Sequence, residues 1–153
     1  MKKTIFLKTT IIILSLLVTS ASYAQKKEKK VDKSKYLEGK KYKVQFYEMK
    51  PTGRGKALES TVTFKDGKVE SELMNDKLKI NGAAYKIILD STYTEDETES
   101  RLLKIEGQYS NDRDEAKWEA TVNNFDIEGT VVERKNGVDK KKFEFSGSEK
   151  TKK

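Results

Sequence analysis

From Lys40 to Gly147 the chain alternates apolar with polar residues at a spacing of two, and a helical spacing fits no extended window of it better. A period of two sends successive side chains to opposite faces of an extended strand, so the pattern restricts the fold to strands with one apolar face. Eight candidates follow in order. In KYKVQFYE, Tyr42, Val44 and Phe46 share a face; in LESTVTF, Leu58, Val62 and Phe64 do; in VESEL, Val69 and Leu73 flank Ser71. After the less regular MNDKLKINGA, the strand YKIIL offers Tyr85, Ile87 and Leu89, and beyond an acidic connection, Glu95 to Glu99, LLKIEGQY offers Leu103, Ile105, Gly107 and Tyr109. KWEATVNNFDIEGTVVERKNG supplies two strands, Trp118, Ala120 and Val122 before a turn at Asn123 and Asn124, then Ile127, Gly129 and Val131. KKFEFSG closes the series with Phe143, Phe145 and Gly147 in phase.

Turn chemistry tests whether these faces meet. Asp66 and Gly67 suit a two-residue type I′ hairpin, whose central positions both need φ > 0. Pairing Lys65 with Lys68 then sets Phe64 opposite Val69, Val62 opposite Ser71 and Ser60 opposite Leu73. A two-residue turn at Asn136 and Gly137 would set Phe143 against Thr130 and mix the faces, which burial rejects. A three-residue loop, Lys135 to Gly137 with Gly137 in the αL region as a bulge, is expected instead, with Phe143 against Gly129 and Phe145 against Ile127. One-faced antiparallel strands must cover their apolar side, and short sequential connections make the expected fold all-β, an eight-stranded antiparallel up-and-down barrel, with a two-sheet sandwich as the alternative. Inward glycines at 107, 129 and 147 fit strands that coil sharply.

This arrangement resembles the lipocalin-like, or calycin, group of eight-stranded barrels. LEGKKYKV carries the resemblance: Gly39 precedes the inward aromatic Tyr42, and a meander of eight strands runs on to Gly147. Lys41 stands where true lipocalins have a tryptophan. The resemblance implies a small hydrophobic molecule held in the barrel mouth and carries over no binding residue by position.

The N-terminus reads as an export signal. Lys2, Lys3 and Lys8 precede an apolar run from Ile11 to Val18, and Ser22 and Ala24 stand before a cut ahead of Gln25. The run is too short to span a bilayer as a helix, so no membrane span is expected. The expected organisation is a signal at 1–24, a basic flexible linker at 25–39, the barrel at 40–148 and a basic tail at 149–153, in a product destined for the periplasm or the medium. The net charge of +7 is misleading, because 25–35 carries +4, the signal +3 and the tail +2, leaving the folded part slightly acidic. A fold that grips phosphates gathers its basic groups on one face, so nucleic acid is not an expected partner. The basic segments read as solvated linkers, with weak attachment to an anionic surface as the functional alternative.

The chain has no histidine and no cysteine, which removes the commonest general base, thiolate chemistry, sulfur metal sites and disulfides. The acidic stretches Glu95–Ser100 and Asn111–Glu115 lack EF-hand spacing, and PTGRGK lacks the order of a phosphate-binding loop. No catalytic residue, metal or cofactor is therefore expected; a glycosidase-like carboxylate pair is the enzymatic alternative. The candidate ligand site is the barrel interior, lined by Tyr42, Phe46, Ser60, Ser71, Tyr85, Tyr109, Trp118 and Phe143, with a small, largely apolar molecule as partner. With Phe64 and Phe145 the same aromatics are bulky enough to plug a small barrel. In that case the chain is expected to be an interaction or inhibitor protein that docks on another exported protein, using outward Tyr47, Met49, Ile88, Leu102 and Val132 if they are contiguous.

Overall fold

The computed structural model describes residues 33–150. The expected signal at 1–24, the linker up to residue 32 and the last three residues of the basic tail lie outside them. Eight antiparallel strands close into a single barrel in sequential order. They are β1 (Lys41–Lys50), β2 (Gly53–Lys65), β3 (Lys68–Ser71), β4 (Ala83–Glu95), β5 (Thr98–Ser110), β6 (Asp114–Asn123), β7 (Asp126–Lys135) and β8 (Val138–Glu149). Pairing of β8 with β1 sets Phe46 opposite Phe145 and Val44 opposite Gly147, and this closure makes a barrel rather than a sandwich. Gly147 is required where it stands: a Cβ there would collide with the Lys43 carbonyl oxygen and lie 2.6 Å from Val44 Cα.

Alternation decides most of the register. Tyr42, Val44, Phe46, Val62, Phe64, Leu103, Trp118, Val122, Ile127, Val131, Phe143 and Phe145 are all buried on the expected face. The Asp66–Gly67 hairpin has φ of 52° and 70°, with Lys65 opposite Lys68, Phe64 opposite Val69 and Val62 opposite Ser71.

The expected third strand stops early. It ends at Ser71, and Glu72–Leu78 form a helix, α1, so Leu73 never pairs with Ser60 as a strand residue. Met74 and Leu78, one helical turn apart, bury themselves against the barrel. Seven residues are too few to shift a longer periodicity window, which is why alternation masks this helix. The helix is capped from outside its own sequence. Ser71 at the N-cap makes no side-chain cap bond, and the Leu73 amide donates instead to Ser60 Oγ on β2, at 3.1 Å.

Two bulges correct two further expectations. An extra residue at Ile88 shifts the phase of β4, so Leu89 faces outward and Asp90 takes the inward position opposite Leu103. At the last hairpin the turn is two residues, Asn136 and Gly137 with φ of 51° and 76°, rather than three. The frame is restored further along, at Lys140, so that Phe143 meets Val131 and Phe145 meets Gly129. Burial does reject the mixed register, but by a bulge inside β8 rather than at the turn.

Smaller differences lie in the connections. The acidic stretch is the end of a long hairpin that turns at Asp96 and Glu97, and the β6–β7 turn is Asn124–Phe125, one residue later than expected. The PTGRGK connection shortens to Pro51–Thr52, and β2 begins at Gly53. Residues 33–39, expected within the linker, belong to the fold: Lys33–Tyr36 form a 3-10 helix and Leu37 is fully buried. Tyr36 lies 4.0 Å from the Arg101 guanidinium, which makes a bidentate pair with Asp90 at 2.8 and 2.9 Å. This cluster closes the barrel end at which the described chain enters and leaves; α1 lies at the other.

Candidate functional site

The inward faces bring their rings together in two groups. Phe46, Phe145 and Trp118 form a triangle, with centroids 5.0 Å apart for the phenylalanines, 6.3 Å for Phe46–Trp118 and 5.7 Å for Trp118–Phe145. Toward the end closed by the 3-10 helix, Phe64 meets Tyr42 at 6.0 Å and Tyr85 at 5.1 Å, both edge to face. These are the separations at which aromatic pairs attract beyond their buried area. None of Tyr42, Phe46, Phe64, Trp118, Phe143 and Phe145 is more than 3% exposed.

Of the eight expected site residues, Tyr42, Phe46, Trp118 and Phe143 are sealed in this core, and Tyr85 and Tyr109 are half-buried. Tyr109 lies toward the α1 end of β5, and its Oη accepts from Asn111 Nδ2 at 3.1 Å. Ser60 and Ser71 do come together, with their Oγ atoms 3.0 Å apart, and the Ser60 hydroxyl is also engaged by the helix amide. Their hydroxyls therefore serve the join between β2, β3 and α1.

Three inner polar atoms stand out. Tyr42 Oη and Trp118 Nε1 are buried without a hydrogen-bond partner among the described residues, as is Glu133 Oε2, whose other oxygen lies 3.3 Å from Lys135 Nζ. Burial pushes the Tyr42 phenol well above its ordinary range, with the charge of Glu149 adding to the effect. Glu133 was missed in the sequence although it continues the inward phase of Ile127, Gly129 and Val131. Nothing marks an acid as inward once the apolar run has ended. The Asp90–Arg101–Tyr36 cluster was missed because the bulge at Ile88 creates it.

Outside, the expected apolar patch divides. Tyr47 and Met49 on β1 and Val132 on β7 flank β8, with Met49 and Val132 both opposite Lys142. Ile88 and Leu102 lie on the β4–β5 hairpin, where Leu102 is opposite Ser91 and two further apolar residues, Leu89 and Tyr93, are exposed. One surface hollow, of about 880 Å3, lies where the described chain enters and leaves, between Lys41, Phe125 and Lys150. Another, of about 540 Å3, follows the outer wall from β4 to β7. Among the described residues no three acids are gathered to hold a metal, and no helix is long and apolar enough to cross a membrane.

The fold and the site define an eight-stranded antiparallel β-barrel with an aromatic interior. The chain matches no protein-family model, and neither the curated proteins nor the solved structures show a match to it.

Proposed function

We propose that the chain is an exported interaction protein, a filled barrel that works through its outer surface by docking on another protein. The observation that carries this reading is the ring-to-ring packing of Phe46, Phe145 and Trp118 in the middle of the barrel. A ligand pocket for a small apolar molecule occupies roughly 300–1,000 Å3. Here the side chains that would line it touch one another, so a guest of that size has to displace several of them. Export rests on the composition of residues 1–24.

A second reading, a container for a small apolar molecule, has one observation in its favour. Tyr42 Oη and Trp118 Nε1 are buried without partners among the described residues, and a polar atom of a guest would meet that need. Kinship with lipocalins would favour it too, and that kinship rests on architecture alone. Native mass spectrometry of the purified protein, with solvent extraction, separates the two. The interaction reading expects the bare chain mass; a stoichiometric small molecule would overturn it.

A further inference from the structure

Strand β4 has an edge that the barrel does not use. Its first two residues pair with β3, as Val69 with Ala83 and Lys68 with Ala84. From Lys86 to Glu95 the only strand beside it among the described residues is β5. An open edge presents backbone donors and acceptors to any extended chain that fits alongside. This one also carries apolar side chains that folding leaves in water, Ile88 at 50% and Leu89 at 39% exposure, beside Tyr93, which is 37% exposed while its hydroxyl donates to Asn123 Oδ1 at 3.0 Å. Beyond the bulge at Ile88 the outward phase runs Leu89, Ser91, Tyr93 and Glu95, and before it stands Lys86.

We infer that this edge pairs antiparallel with the same edge of a second copy, with the two-fold axis at Ser91. The inference rests on the reading that the chain acts by docking, and it names the partner. The outward series is self-complementary about Ser91. Two positions away on either side, Leu89 meets the partner's Tyr93. Two further positions out, with the bulged Ile88 counted as extra, Lys86 meets the partner's Glu95. A two-fold axis makes each contact twice. Cross-strand pairs of these types, apolar on aromatic and base on acid, are the ones that stabilise a sheet. Parallel pairing is excluded by the same charges, since it would set Lys86 beside Lys86 and crowd the acidic turns at Glu95, Asp96 and Glu97. The antiparallel arrangement sends those turns to opposite ends. Among the described residues β2 likewise has no strand on its β3 side from Gly53 to Thr61, but of the two edges only that of β4 carries exposed large apolar side chains.

The chain has no cysteine, so single cysteines report the geometry without interference. In the purified full chain, Ser91→Cys is expected to form a disulfide-linked dimer under mild oxidation, because opposed Cβ atoms at the axis lie within bridging range. Leu89→Cys and Tyr93→Cys stand about four residue steps from their own copies across the axis, roughly 13 Å, and are expected to link at least about tenfold less. Sedimentation is expected to show a dimer whose dissociation constant rises at least about tenfold in Leu89→Lys with Tyr93→Lys, with circular dichroism unchanged. A monomer at every concentration, a dimer that links best elsewhere than at Ser91, or a monomer that binds a basic extended peptide at this edge would each overturn the inference. These failures are separate from that of the interaction reading, which a stoichiometric small molecule in the native mass would end whatever the cysteines report.

Discussion

Truncating Phe46 to alanine probes the barrel where its packing is densest. The side chain is fully buried and makes ring contacts with Phe145 at 5.0 Å and Trp118 at 6.3 Å. Removing it forfeits about 1.5–3 kcal/mol of transfer free energy, and two aromatic contacts worth roughly 0.5–1.5 kcal/mol each. The total, about 2.5–6 kcal/mol, brackets the roughly 3–5 kcal/mol that phenylalanine-to-alanine changes cost in close-packed cores. For a domain of this size that lowers Tm by roughly 10–20 °C. Trp118, the chain's one tryptophan, reports directly, because its indole packs on the vacated position. Urea unfolding followed by its fluorescence gives the difference in free energy, with Phe125→Ala, a change at a side chain 71% exposed, as the control expected to stay within about 0.5 kcal/mol. A Phe46→Ala loss below about 1 kcal/mol would mean that the interior was already loose, and would refute the reasoning from packing.

Three further outcomes are expected. Gly147→Ala drives a carbon into the backbone of Lys43 and Val44, where nothing flexible can give way, and should cost about 3 kcal/mol, the upper end of what overpacking costs, by the same unfolding assay. Tyr42→Phe removes a buried hydroxyl that has no partner among the described residues, so it should be neutral or stabilising by up to about 1 kcal/mol near neutral pH. In the parent protein the raised phenol keeps its proton when that of the unfolded chain ionises above about pH 10, so stability present below that pH is lost as pH rises, and Tyr42→Phe should blunt this loss in pH-dependent unfolding curves. Deleting Lys140 removes the bulge without changing the register, leaving Arg134 opposite Asp139, Glu133 opposite Lys141 and Phe143 opposite Val131 in a regular two-residue hairpin, so thermal unfolding should remain cooperative; loss of the cooperative transition would contradict the place of the bulge.

The last deletion shows where sequence reasoning reaches its limit. Alternation reports which side of a strand a residue faces, and in β1, β2 and β5 to β8 it fixed the interior because one face is apolar and the other charged. It cannot count residues between two correctly phased segments. The bulges at Ile88 and Lys140 are therefore visible only when closure around the barrel demands them. Helix α1 was hidden for a related reason: its two anchoring residues, Met74 and Leu78, look like strays in a short irregular piece, and its cap is supplied by Ser60, far back in the chain. Leu37 lies next to a lysine-rich segment and nothing local signals that it is buried. The candidate site was legible as a set of inward residues. What the pattern could not convey is whether those residues face a space or one another, because that depends on ring orientations and on how tightly Gly129 and Gly147 let neighbouring strands approach.

The filled interior is tested most directly by titrating the protein with benzene or xenon while following the Trp118 indole proton by NMR. The expected result is no saturable shift in the parent protein and the appearance of one in Phe46→Ala, where a dry apolar void has been opened. A saturable shift at Trp118 in the parent would mean that the barrel holds a cavity of its own, and the account of a filled barrel would be contradicted.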